Sequence, residues 1–367
     1  MVEKMKKVKI YGAGSIGNHL ANASRQLGWE VTIVDIDAKA LDRTRNDIYP
    51  SRYGKWDESI KLYLSKDAPK GGFDYIFVGT PPESHIPLGL SALNENPAAI
   101  LIEKPFCTPS MTNAQKFFEE AVKKEIKIFT GYDHVVGAAS SYVSELIKQE
   151  KIGEILTLDV EFREHWGGIF MAHPWLNGPA DTYLGYWIQG GGSCGEHSHA
   201  ANLWQFFSNC ANMGNISEVS ATLNYVKSGA ALYDNLCLLN VRTEKGLCGR
   251  IIQDVITRPP KKYARIQGSS GFIEWHCGKK PGIDSVIHET YDGSKYEKLF
   301  KKTRPDDFIT ELKHIDEHTF GSGKKSPISI EEGLNTMLVV AAAHKSSSLN
   351  KTVKIDYSKK FNLDALF

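Results

Sequence analysis

The chain lacks the marks of a secreted, membrane-spanning or nucleic-acid-binding protein. Its 367 residues include six cysteines, Cys107, Cys194, Cys210, Cys237, Cys248 and Cys277, with no CxxC pair. In a chain this long, that scatter reads as reduced thiols in a cytoplasmic protein, not as a disulfide framework. Residues 1–7 are charged and have no apolar signal-peptide core. No apolar run approaches the length needed to span a bilayer. Lys and Arg number 44 against 43 Asp and Glu, a net charge of +1. That balance supplies no strong pull toward nucleic acid or anionic lipid. Internal repeats and low-complexity linkers are also missing. The glycosylation pattern Asn215-Ile216-Ser217 has no secretory signal to go with it and reads as chance.

What is present suits a globular protein of two domains: 41% hydrophobic and 24% charged residues over a length generous for one. The first third alternates short apolar runs with helical patterns. Strands are expected at 8–11, 30–35, 73–78, 98–102 and 126–130, and helices at 15–27, 38–47, 84–94 and 110–124. Such alternation predicts a doubly wound parallel sheet. A boundary follows near 131–140, dividing the chain into domains 1–133 and 134–367. Beyond it come a helix at 141–148 and a strand at 155–163. Residues 164–192, rich in Gly, Pro, Trp and Tyr, read as loop. A helix at 194–207 follows, then three successive strands at 217–226, 232–241 and 249–256, the pattern of an antiparallel sheet. The fold class is therefore α/β, a Rossmann domain plus an α+β domain with an open, mainly antiparallel sheet. A helix at 330–344 has Ser329 and Glu332 spaced as a capping box. The C-terminal segment is expected to pack back on the first domain.

Gly12-Ala13-Gly14-Ser15-Ile16-Gly17 lies between an expected strand and an expected helix. Glycines there permit a tight turn and backbone approach to a pyrophosphate, which the helix N-terminus then faces with free N–H groups. Asp35 ends the next strand, about 18 residues on, where a carboxylate accepts from ribose hydroxyls. Its charge repels a 2′-phosphate, and Ile36 and Asp37 follow it where an arginine would favour NADP. The reading is NAD, with NADP disfavoured.

Further motifs narrow this. Thr80-Pro81-Pro82-Glu83-Ser84-His85 and Glu103-Lys104-Pro105 each follow an expected strand, Gly190-Gly191-Gly192 precedes a histidine-bearing helix, and residues 329–346 run from Ser-Ile-Glu-Glu-Gly to Ala-Ala-Ala-His-Lys-Ser before Val353-Lys354-Ile355. In order and spacing, from about residue 7 to 356, the chain resembles the glucose-fructose oxidoreductase / inositol dehydrogenase / MocA family. The resemblance implies a catalytic lysine at Lys104 and a histidine at His199. The family's aspartate falls on Gly195 or Glu196, a departure that makes Glu196 its expected replacement. It also implies cofactor contacts from Thr80, Pro81, His85, Glu103 and Lys104, and a homo-oligomer, dimer or tetramer.

Oxidising a carbinol needs a hydride acceptor and a base. Lys104, at the carboxyl end of a parallel strand, would sit by the positive nicotinamide, where like charge lowers an ammonium's pKa. His199 is the natural general base. Glu196, three residues away, would share its helical face and orient it. Tyr132, His134, His165, Trp175 and Asp181 are expected to contact substrate, alongside Lys104 and His199. Trp166, Tyr183, Tyr186 and Trp187 are equally readable as sugar platforms or as packing. Cys194, Glu196, His197 and His199 crowd one helical turn, which argues against a metal there. The expected activity is NAD-dependent oxidation or reduction of a sugar, an inositol-like polyol or a nucleotide-linked sugar, with no nucleic-acid or membrane partner. Two alternatives share the fold, an enzyme using NAD transiently without net redox and a non-catalytic NAD-responsive regulator.

Overall fold

The computed structural model describes residues 5–171, 173–321, 323 and 325–367. The chain opens with strand β1 (Lys7–Tyr11), helix α1 (Ser15–Gln26) and strand β2 (Glu30–Asp35). Helix α2 (Ala38–Arg43) passes through a π-helical turn into α3 (Tyr49–Tyr53), followed by β3 (Lys61–Leu64) and β4 (Tyr75–Val78). Then come α4 (His85–Leu93), β5 (Ala99–Ile102), α5 (Ala114–Lys123) and β6 (Lys127–Thr130). The six strands form one wholly parallel sheet in the order β3-β2-β1-β4-β5-β6. Tyr75–Val78 and Ala99–Ile102 are entirely buried, as continuous apolar strands covered on both faces should be. The order reverses between β1 and β4, and open α/β sheets bind ligands at such a switch point.

Helix α6 (Ala138–Lys148) leads to β7 (Ile155–Arg163), the short α7 (Trp166–Met171), α8 (Gly192–Glu196) and α9 (His199–Cys210). Strands β8 (Ile216–Ser228), β9 (Ala231–Thr243), β10 (Cys248–Asp254), β11 (Lys261–Gly268), β12 (Gly271–Lys280), β13 (Ile283–Thr290) and β14 (Lys295–Lys301) follow. Helices α10 (Arg304–Phe320) and α11 (Ile330–Leu349) and strand β15 (Val353–Lys354) end the regular structure. The second sheet has nine strands, β14-β13-β12-β11-β7-β10-β9-β8-β15, all antiparallel except β7 beside β10. After β14 the chain returns to the first sheet. Thr130 N–H donates to Ile328 O at 2.8 Å, and Phe129 bridges Ser329. The His19 ring of α1 stacks on Phe308 of α10.

Three local expectations fail. The helix expected at 194–207 is broken, because α8 stops at Glu196 and α9 begins at His199. The capping box at α11 does not form: Ser329 makes no side-chain cap, and Glu332 turns to Lys325 Nζ at 2.7 Å. Residues 164–192 hold α7 and three 3₁₀ turns, so they are not loop throughout. No helix among the described residues is long and apolar enough to cross a membrane.

Candidate active site at the carboxyl edge of the parallel sheet

The glycine-rich turn is built by contact. Gly12 has φ +104°, and a Cβ there would stand 2.7 Å from Gly79 O. A Cβ at Gly17 would fall 1.9 Å from Gly12 O. Gly14 differs, because nothing lies within 4 Å of its hypothetical Cβ. Close packing explains Gly12 and Gly17. Gly14 is left as the open position against which a pyrophosphate can lie, at the N-cap of α1. Asp35 accepts from Ala13 N–H at 2.7 Å through Oδ2 and from Asp37 N–H at 2.9 Å through Oδ1. Each oxygen keeps a further lone pair for a ribose hydroxyl. Ile36 beside it is exposed. These groups fit a dinucleotide.

From Ser15 and Ile16 a cleft of about 700 Å³ runs to the second sheet, passing Lys104, Asp133, His134, Glu196 and His199. Lys104 projects from the end of β5. Its Nζ meets Glu196 Oε2 at 2.9 Å and donates to Glu196 O at 3.1 Å. Glu196 therefore serves Lys104. His199 instead has Nδ1 3.8 Å from Asp133 Oδ1, and the break between α8 and α9 is why: it removes the shared helical face on which a Glu196–His199 pairing depended. Of the two positions open to the family's aspartate, 195 can carry no side chain, since a Cβ there would sit 2.0 Å from Gly190 O.

Asp133 follows β6 and was missed from sequence. Its Oδ2 accepts from Arg304 at 3.4 Å. Burial opposes its charge, but His199, Arg304 and Lys302 outweigh that and hold the carboxyl below its usual range. His134 packs edge-on to His199, with ring centroids 4.7 Å apart. Burial above all pushes both imidazoles well below the ordinary histidine range. His197 is buried too, lowered to about 4 chiefly by desolvation, and its carbonyl accepts from Gln253. Glu164, Lys262, Lys302, Arg304, His19 and His173 also line the cleft and carried no sequence signal, because each lies outside any motif.

Other expected residues are elsewhere. His85 is wholly buried, with Nδ1 3.0 Å from Pro105 O and Nε2 2.6 Å from Thr80 O. It ties the loop after β4 to the loop after β5 and presents no side-chain atom to a cofactor. Thr80 Oγ1 pairs with Ser84 at 2.6 Å, while Pro81 precedes the turn into α4. Glu103 is buried under Gly131 and raised to about 7 by desolvation. Tyr132 is also buried, its hydroxyl on Ser198 Oγ at 3.2 Å. His165 lies against Arg258 at 2.8 Å, and Asp181 caps Asn177 at 2.9 Å, so neither lines the cleft. Trp175 crosses to the first domain and stacks on Arg43. Trp166 packs on Phe170 and Trp187 on His344. Tyr183 borders Glu196, its hydroxyl held protonated by burial and by that carboxylate. Cys194 is buried beside Cys237 and Asp234, away from the histidines.

The Gfo/Idh/MocA family model, described as an oxidoreductase family with an NAD-binding Rossmann fold, matches residues 6–132. No curated protein matches the chain in sequence. Among solved structures, the fold is that of an Agrobacterium radiobacter oxidoreductase in complex with NAD+, L-tartaric acid and magnesium (TM-score 0.73, 18% identity, 96% of this chain and 98% of that one). It is equally that of the Bordetella pertussis WlbA dehydrogenase with NADH and UDP-GlcNAcA (0.71, 18%, 96% and 99%). A Caulobacter crescentus aldose-aldose oxidoreductase complexed with glycerol is similar as well (0.75, 17%, 96% and 100%).

Proposed function

With residues 6–132 a Gfo/Idh/MocA-type NAD-binding Rossmann domain, we propose that the protein is an NAD-dependent oxidoreductase acting on a carbinol or ketone carbon of a sugar, an inositol-like polyol or a nucleotide-linked sugar. The observation that carries this is Lys104, held by Glu196 at 2.9 Å in the cleft that begins at the glycine-rich turn. NAD supplies the hydride acceptor or, reduced, the donor. Lys104 handles the proton at the reacting oxygen: as the ammonium it gives one to the forming alkoxide in reduction, and as the neutral amine it takes one from the carbinol in oxidation. Glu196 fixes the direction of the ammonium and balances its charge, and Tyr183 backs that carboxylate. Asp35 selects NAD over NADP.

Substrate class rests on the polar lining of the cleft and on what related folds were solved with. A homo-oligomer belongs to the same reading, and the exposed Leu156, Leu232 and Leu238 on the large sheet are surface such a contact would use. The test is incubation of the protein with NAD and a panel of sugars, polyols and nucleotide-linked sugars while NADH is followed. Accumulation with any of them supports the reading. Tight NAD binding with no NADH formed across the panel overturns it.

A further inference from the structure

Most charged groups in the cleft have a partner of their own. Lys104 pairs with Glu196 at 2.9 Å, Lys262 with Glu164 at 3.2 Å, and Lys302 with Asp284 and Asp307 at 2.9 Å each. Arg304 takes Oδ2 of Asp133. Among the buried atoms of the described cleft residues left with no hydrogen-bond partner are Oδ1 of the same carboxylate and Nδ1 of His199, which lie 3.8 Å apart. Nε2 of His134 comes within 4.0 Å of that same Oδ1. One donor atom from each of Asp133, His134 and His199 lies within 4.8 Å of the other two. The Asp133 and His134 side chains are each only 8% exposed.

We infer that Asp133, His134 and His199 form a binding site for a divalent transition-metal ion, zinc or ferrous iron by ligand type. Two imidazoles and one carboxylate are the donor set these ions take while keeping open positions. A point about 2.5 Å from all three atoms exists at these separations, against roughly 2.0–2.2 Å for bonds to zinc. A few tenths of an ångström of side-chain movement closes the site. Asp133 and His134 follow β6 at the edge of the parallel sheet, and His199 opens α9 under the second sheet. Arg304 orients the carboxylate through its other oxygen, an outer contact of the kind that fixes a metal ligand. The sequence argued against a metal on the one turn at 194–199, whereas this set joins positions 66 residues apart. All three residues line the cleft that also holds Lys104.

The test needs neither substrate nor NAD, so its outcome is separate from that of the oxidoreductase reading. Untagged full-length protein is dialysed against a chelator and titrated with Co²⁺, a spectroscopic stand-in for zinc, with uptake and visible absorption followed. The expected result is one equivalent bound, with d–d bands, and affinity roughly tenfold or more weaker in both His134→Gln and Asp133→Asn. His165→Gln, which alters a histidine on Arg258, leaves uptake unchanged. Thermal melting shows that each variant is folded. Absence of saturable Co²⁺ uptake by the wild-type protein overturns the inference without reference to any variant. Uptake that survives both ligand substitutions in folded protein overturns it equally.

Discussion

Lys104 Nζ lies 2.9 Å from Glu196 Oε2, across the interface between the parallel sheet and the helix pair that follows the glycine run. This contact joins the two halves of the cleft at the point where, on the proposed function, an alcohol or ketone oxygen would be protonated or deprotonated. It also moves Glu196 from an orienting role on His199 to one on the lysine.

Lys104→Met keeps most of the stem and removes the ammonium. Turnover is expected to fall by about 10²–10⁴-fold, roughly 3–5 kcal/mol of transition-state stabilisation. NADH affinity is expected to hold, because the pyrophosphate and ribose positions proposed at Gly14 and Asp35 do not involve the ammonium. Steady-state rates beside NADH titration check this. Turnover near wild type would remove Lys104 from the chemistry, and lost NADH binding in folded protein would assign it to the cofactor site.

The glycine-rich turn separates packing from binding. A Cβ at Gly17 collides with Gly12 O, so Gly17→Ala is expected to cost about 1–3 kcal/mol of stability, the usual range for overpacking. A Cβ at Gly14 meets no protein atom within 4 Å, so Gly14→Ala should melt close to wild type while NADH binding is weakened. Calorimetry and NADH titration of the two variants decide it. Loss of stability at 14 or unchanged binding there would contradict the assignment of the open space to the pyrophosphate.

Selectivity follows from Asp35, which is fixed by its bonds to Ala13 and Asp37. NADH is expected to bind more tightly than NADPH, and Asp35→Ser to narrow the gap mainly by improving NADPH. Fluorescence titration with both cofactors measures it. Equal or tighter NADPH binding by the wild-type protein is the contrary result.

A stability prediction rests on Asp234. Burial raises its carboxyl from 3.8 to about 7, although it accepts from Ser193 Oγ at 2.6 Å and Cys194 N–H at 2.7 Å. Between those two values the folded protein holds a proton that the unfolded chain has released, so stability falls as pH rises from about 4 to 7. At about 1.4 kcal/mol for each unit, the loss is of the order of 4 kcal/mol. Buried Glu103, also raised to about 7, adds to the same slope. Asp234→Asn should flatten the profile. Melting across pH 5 to 8 tests this, and a wild-type stability that climbs over that range would contradict it.

Much of the framework was legible because local pattern carries it. The alternation in the first third gives five of the six parallel strands, and Gly12–Gly17 falls, as expected, in the turn between β1 and α1. Strand β3, four half-buried or exposed residues, has too weak a pattern to stand out. Strands β11 to β14 were missed although Gly271, Ile273 and Trp275 alternate inward, and the polar outer residues with an exposed β14 mask that period. The site was less legible than the fold. Lys104 and His199 came from motifs, but their partners are set by where α8 ends and by Asp133, which only folding brings to His199. His85 shows the converse, a motif histidine consumed by two backbone carbonyls.

The most direct test of net redox chemistry is isotopic. The protein is incubated with NADH deuterated at the transferable position and a panel of keto sugars, and products are examined by mass spectrometry. The expected result is one deuterium on the new carbinol carbon and one equivalent of NAD per product in the wild-type protein, with both sharply reduced in Lys104→Met. A protein that binds the reduced cofactor tightly yet transfers no deuterium to any of the panel would contradict it.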